Sequence, residues 1–186
     1  MYKTLKPALI GAAALIGVAV PAGAQEISAI KDGIYVIQGK GGNIGVSAGA
    51  DGVFMIDDQF APATETILGK IESVSDQPVR FLVNTHFHRD HTGGNENLGK
   101  AGVLIFAHDN VRERLLGGNA PAASLPVVTF NDTTTFHMNG QTIEVFHTEA
   151  AHTDGDAMIR FREANVIHMG DTFFNGFYPF IDAKSG

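Results

Sequence analysis

Short alternating runs of apolar and polar residues open the folded part of the chain. The runs at 34–38, 43–47 and 53–56 are rich in β-branched and aromatic residues. Glycine-rich turns at 39–42 and 49–52 separate them. Alternation with period two is typical of half-buried strands, and glycine clusters are typical of turns. We therefore expect a meander of antiparallel strands in this region.

Helical spacing of apolar residues appears after the meander. Pro62 stands where the first helical turn is expected, and the apolar spacing that follows predicts an amphipathic helix over 63–75. A second helix is predicted over 110–116. Short apolar runs at 80–83 and 103–107 are typical of buried strands, so strands and helices alternate here.

Two hairpins are predicted in the last third of the chain. The dipeptide Asn139-Gly140 separates two alternating runs, and this dipeptide is a strong signal for a tight β-turn. The runs at 157–161 and 166–169 form a second candidate hairpin. The predicted order is therefore strands first and then strands mixed with helices, without an internal repeat.

The first residues have the pattern of an export signal. Two lysines precede an apolar run at 8–20, and small residues follow at 22–24. We expect residues 1–24 to be a signal peptide and 25–186 to be the mature domain, located in the periplasm or secreted. The apolar run is shorter than the roughly 20 residues that span a bilayer, so we expect no stable membrane insertion after cleavage.

Composition narrows the possible chemistry. The chain is 44% hydrophobic and 18% charged, which is typical of a single globular domain. The net charge of −7 and the lack of a lysine or arginine cluster disfavour nucleic acid, so we expect a small-molecule substrate. There is no cysteine, so a thiolate nucleophile is excluded and any transition-metal site must use histidine and carboxylate ligands. No pattern indicates an oligomeric state.

A dense cluster of potential metal ligands follows the strand at 80–83. Three of the eight histidines, His86, His88 and His91, fall within six residues, with Asp90 between them. His86 and His88 are two positions apart, so at a strand end both rings point to one side and could share one ion. Asp90 and His91 lie in the following turn and could reach a second ion. Neutral imidazole and carboxylate suit zinc, and also iron or manganese.

Further ligands must come from distant segments. His152 lies in a loop between two predicted strands and is the best candidate for a third imidazole on the first ion. Asp171 follows a predicted strand and could bridge two ions. Asp57 and Asp58 end the meander, where one of them could either hydrogen-bond a ligand imidazole or cap the turn.

These motifs resemble the metallo-β-lactamase superfamily: the His-x-His-x-Asp-His cluster, the His-Thr-x-Gly loop and the Gly-Asp pair at 170–171. The resemblance implies an α+β fold, a four-layer αβ/βα sandwich with the metals at one edge of the two sheets. It implies two zinc ions held by six side chains. His86, His88 and His152 would bind one ion, Asp90 and His91 the other, and Asp171 would bridge them.

The pattern departs from the family in one respect. Members of the family carry a last histidine in a Pro-Gly-His-like segment after a further helix. The 15 residues that follow Asp171 contain no histidine. We therefore expect a domain that is incomplete at its C-terminus, in which the second ion has fewer ligands.

The predicted activity is hydrolysis by a metal-activated water. Two ions lower the pKa of a shared water, Asp90 orients that water and accepts its proton, and the water attacks a carbonyl. We expect a small cyclic amide or ester, such as a β-lactam or a lactone. In this family an aspartate at position 171 is more usual in glyoxalase II-like thioester hydrolases, lactonases and related hydrolases than in antibiotic-hydrolysing members. The thioester hydrolases are the near alternative. An iron-dependent sulfur dioxygenase or oxidoreductase and a non-catalytic metal-binding module are further alternatives.

Overall fold

The computed structural model describes residues 26–186, and within them two β-sheets pack face to face. The predicted signal peptide lies outside the described residues. The first sheet contains β1 (Ile27–Lys31), β2 (Ile34–Ile37), β3 (Ile44–Gly49), β4 (Gly52–Ile56), β5 (Val79–Val83), β6 (Leu104–His108) and β7 (Val128–Phe130). The second sheet contains β8 (Thr133–Met138), β9 (Gln141–His147), β10 (Ala157–Phe161) and β11 (Val166–His168).

The first sheet changes from antiparallel to parallel at its centre. Strands β1 to β4 pair antiparallel through short turns, which confirms the meander predicted for β2 to β4, whereas β4 to β7 pair parallel. Parallel neighbours require a crossover, and helical segments supply these connections. The carboxyl ends of β4, β5 and β6 consequently meet at one edge of the sheet. Polar residues that follow these strands, such as Asp57 and Thr85, are therefore neighbours in space.

The helices contact the first sheet. They are α1 (Thr64–Glu72), α2 (Arg89–Thr92), α3 (Asn95–Lys100) and α4 (Asp109–Gly117). Ile67 and Ile71 of α1 and Leu98 of α3 pack with apolar side chains on the outer face of this sheet. The predicted helix over 63–75 ends earlier, at Glu72. None of the helices within residues 26–186 is both long and apolar enough to cross a membrane.

A second apolar layer fills the space between the sheets. Phe54 of β4 lies edge-on to Phe136 and Phe161 of the second sheet, with ring centroids 5.0 and 6.3 Å apart. Alternate residues of β9, Ile143 and Val145, point into the same cluster. The predicted α+β sandwich is thus confirmed, and the described residues supply three of its four layers.

Two strands are absent from the sequence-based prediction. β1 and β7 are the outermost strands of the first sheet, and their exposed positions weaken the apolar pattern. The hairpin at Asn139-Gly140 forms as predicted, with positive φ at both residues (54° and 70°). Asn139 also joins the two sheets, because its backbone N–H donates to Asp51 at 2.6 Å and its side chain donates to the carbonyl of Gly52 at 2.9 Å.

Truncation of Phe54 tests the core between the sheets. Phe54 is fully buried, so Phe54→Ala should lower the free energy of unfolding by about 3–5 kcal/mol. The measurement is equilibrium unfolding in urea. Phe177→Ala is the control, because Phe177 is 80% exposed and its loss should change stability by less than about 0.5 kcal/mol. Equal effects of the two substitutions would contradict this assignment of the core.

Candidate metal centre

Three imidazole nitrogens converge on one point at the edge of the two sheets. Nε2 of His86 lies 3.1 Å from Nδ1 of His88, and the latter lies 3.0 Å from Nε2 of His152. Two imidazoles on one tetrahedral zinc, with Zn–N of about 2.0–2.1 Å, have ligand nitrogens about 3.3 Å apart. The three nitrogens therefore have a spacing that one ion could share.

The segment that carries His86 and His88 is not the strand end that the sequence predicts. β5 ends at Val83, and the chain then turns through an irregular segment before α2. The buried Asn84 side chain stabilises this turn by donating to Asn95 at 3.0 Å and to the carbonyl of His91 at 3.1 Å. Strand alternation is therefore not the reason that His86 and His88 converge. The two rings use different nitrogens at the point of convergence: His86 directs Nε2 towards it, and His88 directs Nδ1 towards it.

A second group of donors lies beside the first. Nε2 of His91 is 3.3 Å from Oδ1 of Asp171, whose other oxygen is 3.6 Å from Nε2 of His152. Asp171 therefore lies between the two groups, and His86, His91 and Asp171 together could hold an ion. Asp90 lies farther out, with Oδ2 3.7 Å from Nε2 of His91 and 28% of its side chain exposed. The structure thus gathers all six predicted residues, with Asp90 at the rim.

Each of the four imidazoles has a partner for its other ring nitrogen. These partners are Thr85 Oγ1 for His86 (3.0 Å), Asp182 Oδ2 for His88 (3.3 Å), Asp57 Oδ2 for His91 (2.7 Å) and the carbonyl oxygen of Phe180 for His152 (2.6 Å). Such contacts set the tautomer and the ring orientation of a ligand histidine. Sequence reasoning missed Phe180 and Asp182, since a backbone carbonyl leaves no signal and Asp182 follows an aromatic segment without a recognisable motif.

Asp57 connects the two strand ends that carry the site. Its carboxylate, 1% exposed, accepts hydrogen bonds from the backbone N–H of Thr85 at 2.7 Å and the hydroxyl of Thr85 at 2.8 Å, and it contacts His91. Asp58 contacts no imidazole and accepts instead from the N–H of Gly94 at 2.9 Å. Of the two aspartates that follow β4, Asp57 is therefore the partner of a predicted ligand. Burial raises the pKa of Asp58 well above its usual range.

The protonation and charge of the two donor groups favour the binding of a cation. Burial, with His91 and His152 nearby, lowers the pKa of His86, so this ring is a neutral donor. Burial would also lower the pKa of His91, but the carboxylates of Asp57 and Asp171 raise it to about 10. Nε2 of His91 is a buried atom without a hydrogen-bond partner among the described residues. A buried nitrogen that faces carboxylates is suited to binding a divalent ion, because the ion accepts the nitrogen lone pair and compensates the negative charge of the carboxylates.

A glycine-rich loop lies against the second group. The side chains of Asp90 and His91 contact Gly41 and Gly42 so closely that a Cβ atom at either glycine would overlap them. Gly41 also has a φ of +103°, which favours glycine. The side-chain amide of Gln59 donates to the carbonyl of Gly42 and holds the loop in place. The sequence predicts only a turn here, whereas the structure shows that the turn packs on the site.

Comparison with known families agrees with this geometry. A profile of the Metallo-beta-lactamase superfamily matches residues 34–186. The fold and the clustered histidines and aspartates define a protein of the metallo-β-lactamase type, whose members are mostly metallo-hydrolases. The chain belongs to the metallo-β-lactamase superfamily.

Several individual proteins are similar to this chain. The metallo-beta-lactamase from Pontibacter korlensis has a TM-score of 0.66 and 23% identity, over 75% of this chain and 67% of that chain. The DIM-1 metallo-beta-lactamase has a TM-score of 0.65 and 20% identity, over 75% of this chain and 65% of that chain. At these identities the likeness concerns the fold alone.

A curated relative is similar at the level of sequence. The hydroxyacylglutathione hydrolase of Pelagibacter ubique (strain HTCC1062) is 28% identical over 98 residues, which are 52% of this chain. The match spans 37% of the length of that relative.

Replacement of Asp57 tests the orientation of His91. Asp57→Asn removes the charged acceptor of the imidazole, so zinc affinity should fall about 10- to 100-fold. Competition with a chromophoric chelator measures this affinity. Asp58→Asn is the matched control, because Asp58 is equally buried and the new amide oxygen can still accept from Gly94. A similar loss of affinity in both variants would contradict a specific role of Asp57.

Addition of one methyl group tests the glycine loop. Gly42→Ala places a Cβ against the ring of His91, so the variant should retain the three-histidine group and bind zinc more weakly at the second group. Zinc titration with two-site fitting measures both affinities. Gly69→Ala is the control, since nothing lies within 4 Å of that position in α1 and alanine favours a helix. If Gly42→Ala bound zinc at both groups with wild-type affinity, the result would contradict the close contact between Gly42 and the ring of His91.

Proposed function

We propose that the protein is a dinuclear metal-dependent hydrolase that opens a small cyclic amide or ester, such as a β-lactam or a lactone. The proposal is carried by two adjacent donor groups with Asp171 between them. When bound, two divalent ions, zinc in the first instance, polarise a carbonyl and lower the pKa of water. Because a single carboxylate, Asp171, lies between the two donor groups, two ions bound there would be close enough to act on one substrate.

The roles of the side chains follow from their positions. His86, His88 and His152 would hold one ion, and His91 and Asp171 would hold the other. The family resemblance also implies Asp90 as a ligand of the second ion, but we assign it to proton transfer because it lies farther out. Asp90 lies at the exposed rim of the second group, where its free carboxylate oxygen can orient a water and accept its proton. Asp57 and Asp182 act through the imidazoles that they contact, and we regard them as positioning residues.

A protein nucleophile is the less suitable alternative. Thr85 stands next to His86 in an arrangement like that of an activated hydroxyl. However, its Oγ1 donates to Asp57 at 2.8 Å, and the residue is only 1% exposed. Because the hydroxyl is both occupied and buried, we assign the attack on the carbonyl to water.

A thioester is the second candidate substrate. The curated relative from Pelagibacter ubique is a hydroxyacylglutathione hydrolase, and it matches half of this chain. The carboxylate at position 171 is a residue that the family resemblance associates with thioester hydrolases and with lactonases alike. The chemistry of attack is the same for both substrate classes, so the two candidates differ only in the leaving group and in substrate recognition.

Substitution of Asp90 separates proton transfer from metal binding. Asp90→Asn should lower kcat/KM by about 100- to 10,000-fold on nitrocefin, on an aryl lactone or on a glutathione thioester. Equilibrium dialysis should show that both zinc ions are retained. His88→Ala should lose one ion together with the activity, and exposed Asp76→Asn should behave as wild type. Equal turnover by metal-free and zinc-loaded protein would overturn the proposed function.

A further inference from the structure

A large cavity adjoins the second donor group. Its volume is about 930 Å³, and Asp90, His91 and Asp171 lie in its lining. The remaining wall is formed mainly by β2 and residues 41–45 on one side and by residues 166–177 on the other. Most of this wall is apolar, including Ile34, Val36, Val166, Phe173, Phe174 and Phe177. A substrate with its carbonyl at the metal centre would extend along these apolar side chains.

Apart from the metal-centre imidazole of His91, the charged side chains that line the cavity are acidic. Asp90 and Asp171 are the acidic residues of the lining, and no lysine or arginine of residues 26–186 belongs to it. His168 is also in the lining, but its two ring nitrogens bond to the carbonyl of Asn43 (3.2 Å) and the N–H of Gly170 (3.3 Å). Lys40 and Arg89 are adjacent to lining residues in the sequence, yet both are exposed and lie outside the lining.

This distribution disfavours a substrate with a remote carboxylate. The positive charge of bound ions would act at the reacting carbonyl, which lies at the metal end of the cavity. A carboxylate farther along the wall would lose its hydration among apolar side chains without a cation to compensate. An apolar chain in the same position would instead be stabilised by the removal of its surface from water.

We propose that the substrate is an uncharged ester or lactone whose apolar chain occupies this cavity. This inference rests on the proposed hydrolase function and narrows its substrate class. β-Lactam antibiotics and glutathione thioesters both carry free carboxylates, so both are disfavoured. Phe173 and Phe177, which are 58% and 80% exposed, provide an apolar surface for a longer chain.

Hydrolysis of such a lactone requires no reactant other than water. The water oxygen forms a bond to the carbonyl carbon, and the bond from that carbon to the ring oxygen breaks. Asp90 accepts one proton from the attacking water and returns it to the departing alkoxide. The product is a hydroxy acid.

A matched pair of esters tests the proposal. p-Nitrophenyl hexanoate and the mono-p-nitrophenyl ester of adipic acid have acyl chains of equal length, and only the second carries a terminal carboxylate. Zinc-loaded protein should show a kcat/KM at least tenfold higher for the hexanoate. Equal values or a preference for the adipate would overturn the substrate class. If the protein hydrolysed neither ester, and also failed to hydrolyse nitrocefin and a glutathione thioester, the result would instead count against the hydrolase function.

A binding measurement tests the cavity independently of turnover. In metal-free protein, the uncharged fluorophore N-phenyl-1-naphthylamine should bind and be displaced by γ-decalactone at a concentration at least tenfold lower than by decanoate. Phe177→Lys should reduce this preference at least threefold, because it brings a cation to the wall. Tyr178→Lys is the matched control, since Tyr178 is the next residue, is 96% exposed and lies outside the lining. Equal displacement by both compounds in wild type would contradict the proposal.

Discussion

The site depends on the convergence of imidazole lone pairs at the edge of two sheets. Nitrogens of three histidines lie about 3 Å apart, within hydrogen-bonding distance of each other. Rings that face each other in this way repel unless a proton or a metal ion is shared between them. The surrounding structure keeps them together, because each of the four rings is held from behind by a hydroxyl, a carboxylate or a carbonyl.

The fold supplies these restraints from separate parts of the chain. Asp57 directly follows β4 and Thr85 lies two residues after the end of β5, so parallel pairing of the two strands places the two residues in contact. The loop between β9 and β10 brings His152, and the segment after β11 brings Asp171. Residues 180–182 then lie across the three-histidine group. Formation of the donor groups therefore requires both sheets to be assembled and packed.

The chemistry was more predictable from the sequence than the contacts that support it. The spacing of His86, His88 and His91 is rare and specific, so the ligand set could be proposed without a structure. The local reason was wrong, because β5 ends at Val83 and an irregular segment before α2 carries His86 and His88. Phe180 and Gly42 act through a carbonyl oxygen and through the lack of a side chain. Neither feature leaves a pattern in the sequence, since both depend on which segments meet in space.

The most direct test of the account is X-ray absorption at the zinc edge of protein loaded with two zinc equivalents. Four histidines shared by two ions predict an average of two imidazoles per zinc, visible as multiple scattering beyond a first shell of nitrogen and oxygen. The chain has no cysteine, so no sulfur should appear in that shell. A spectrum with oxygen ligands and no imidazole scattering would contradict the proposed centre.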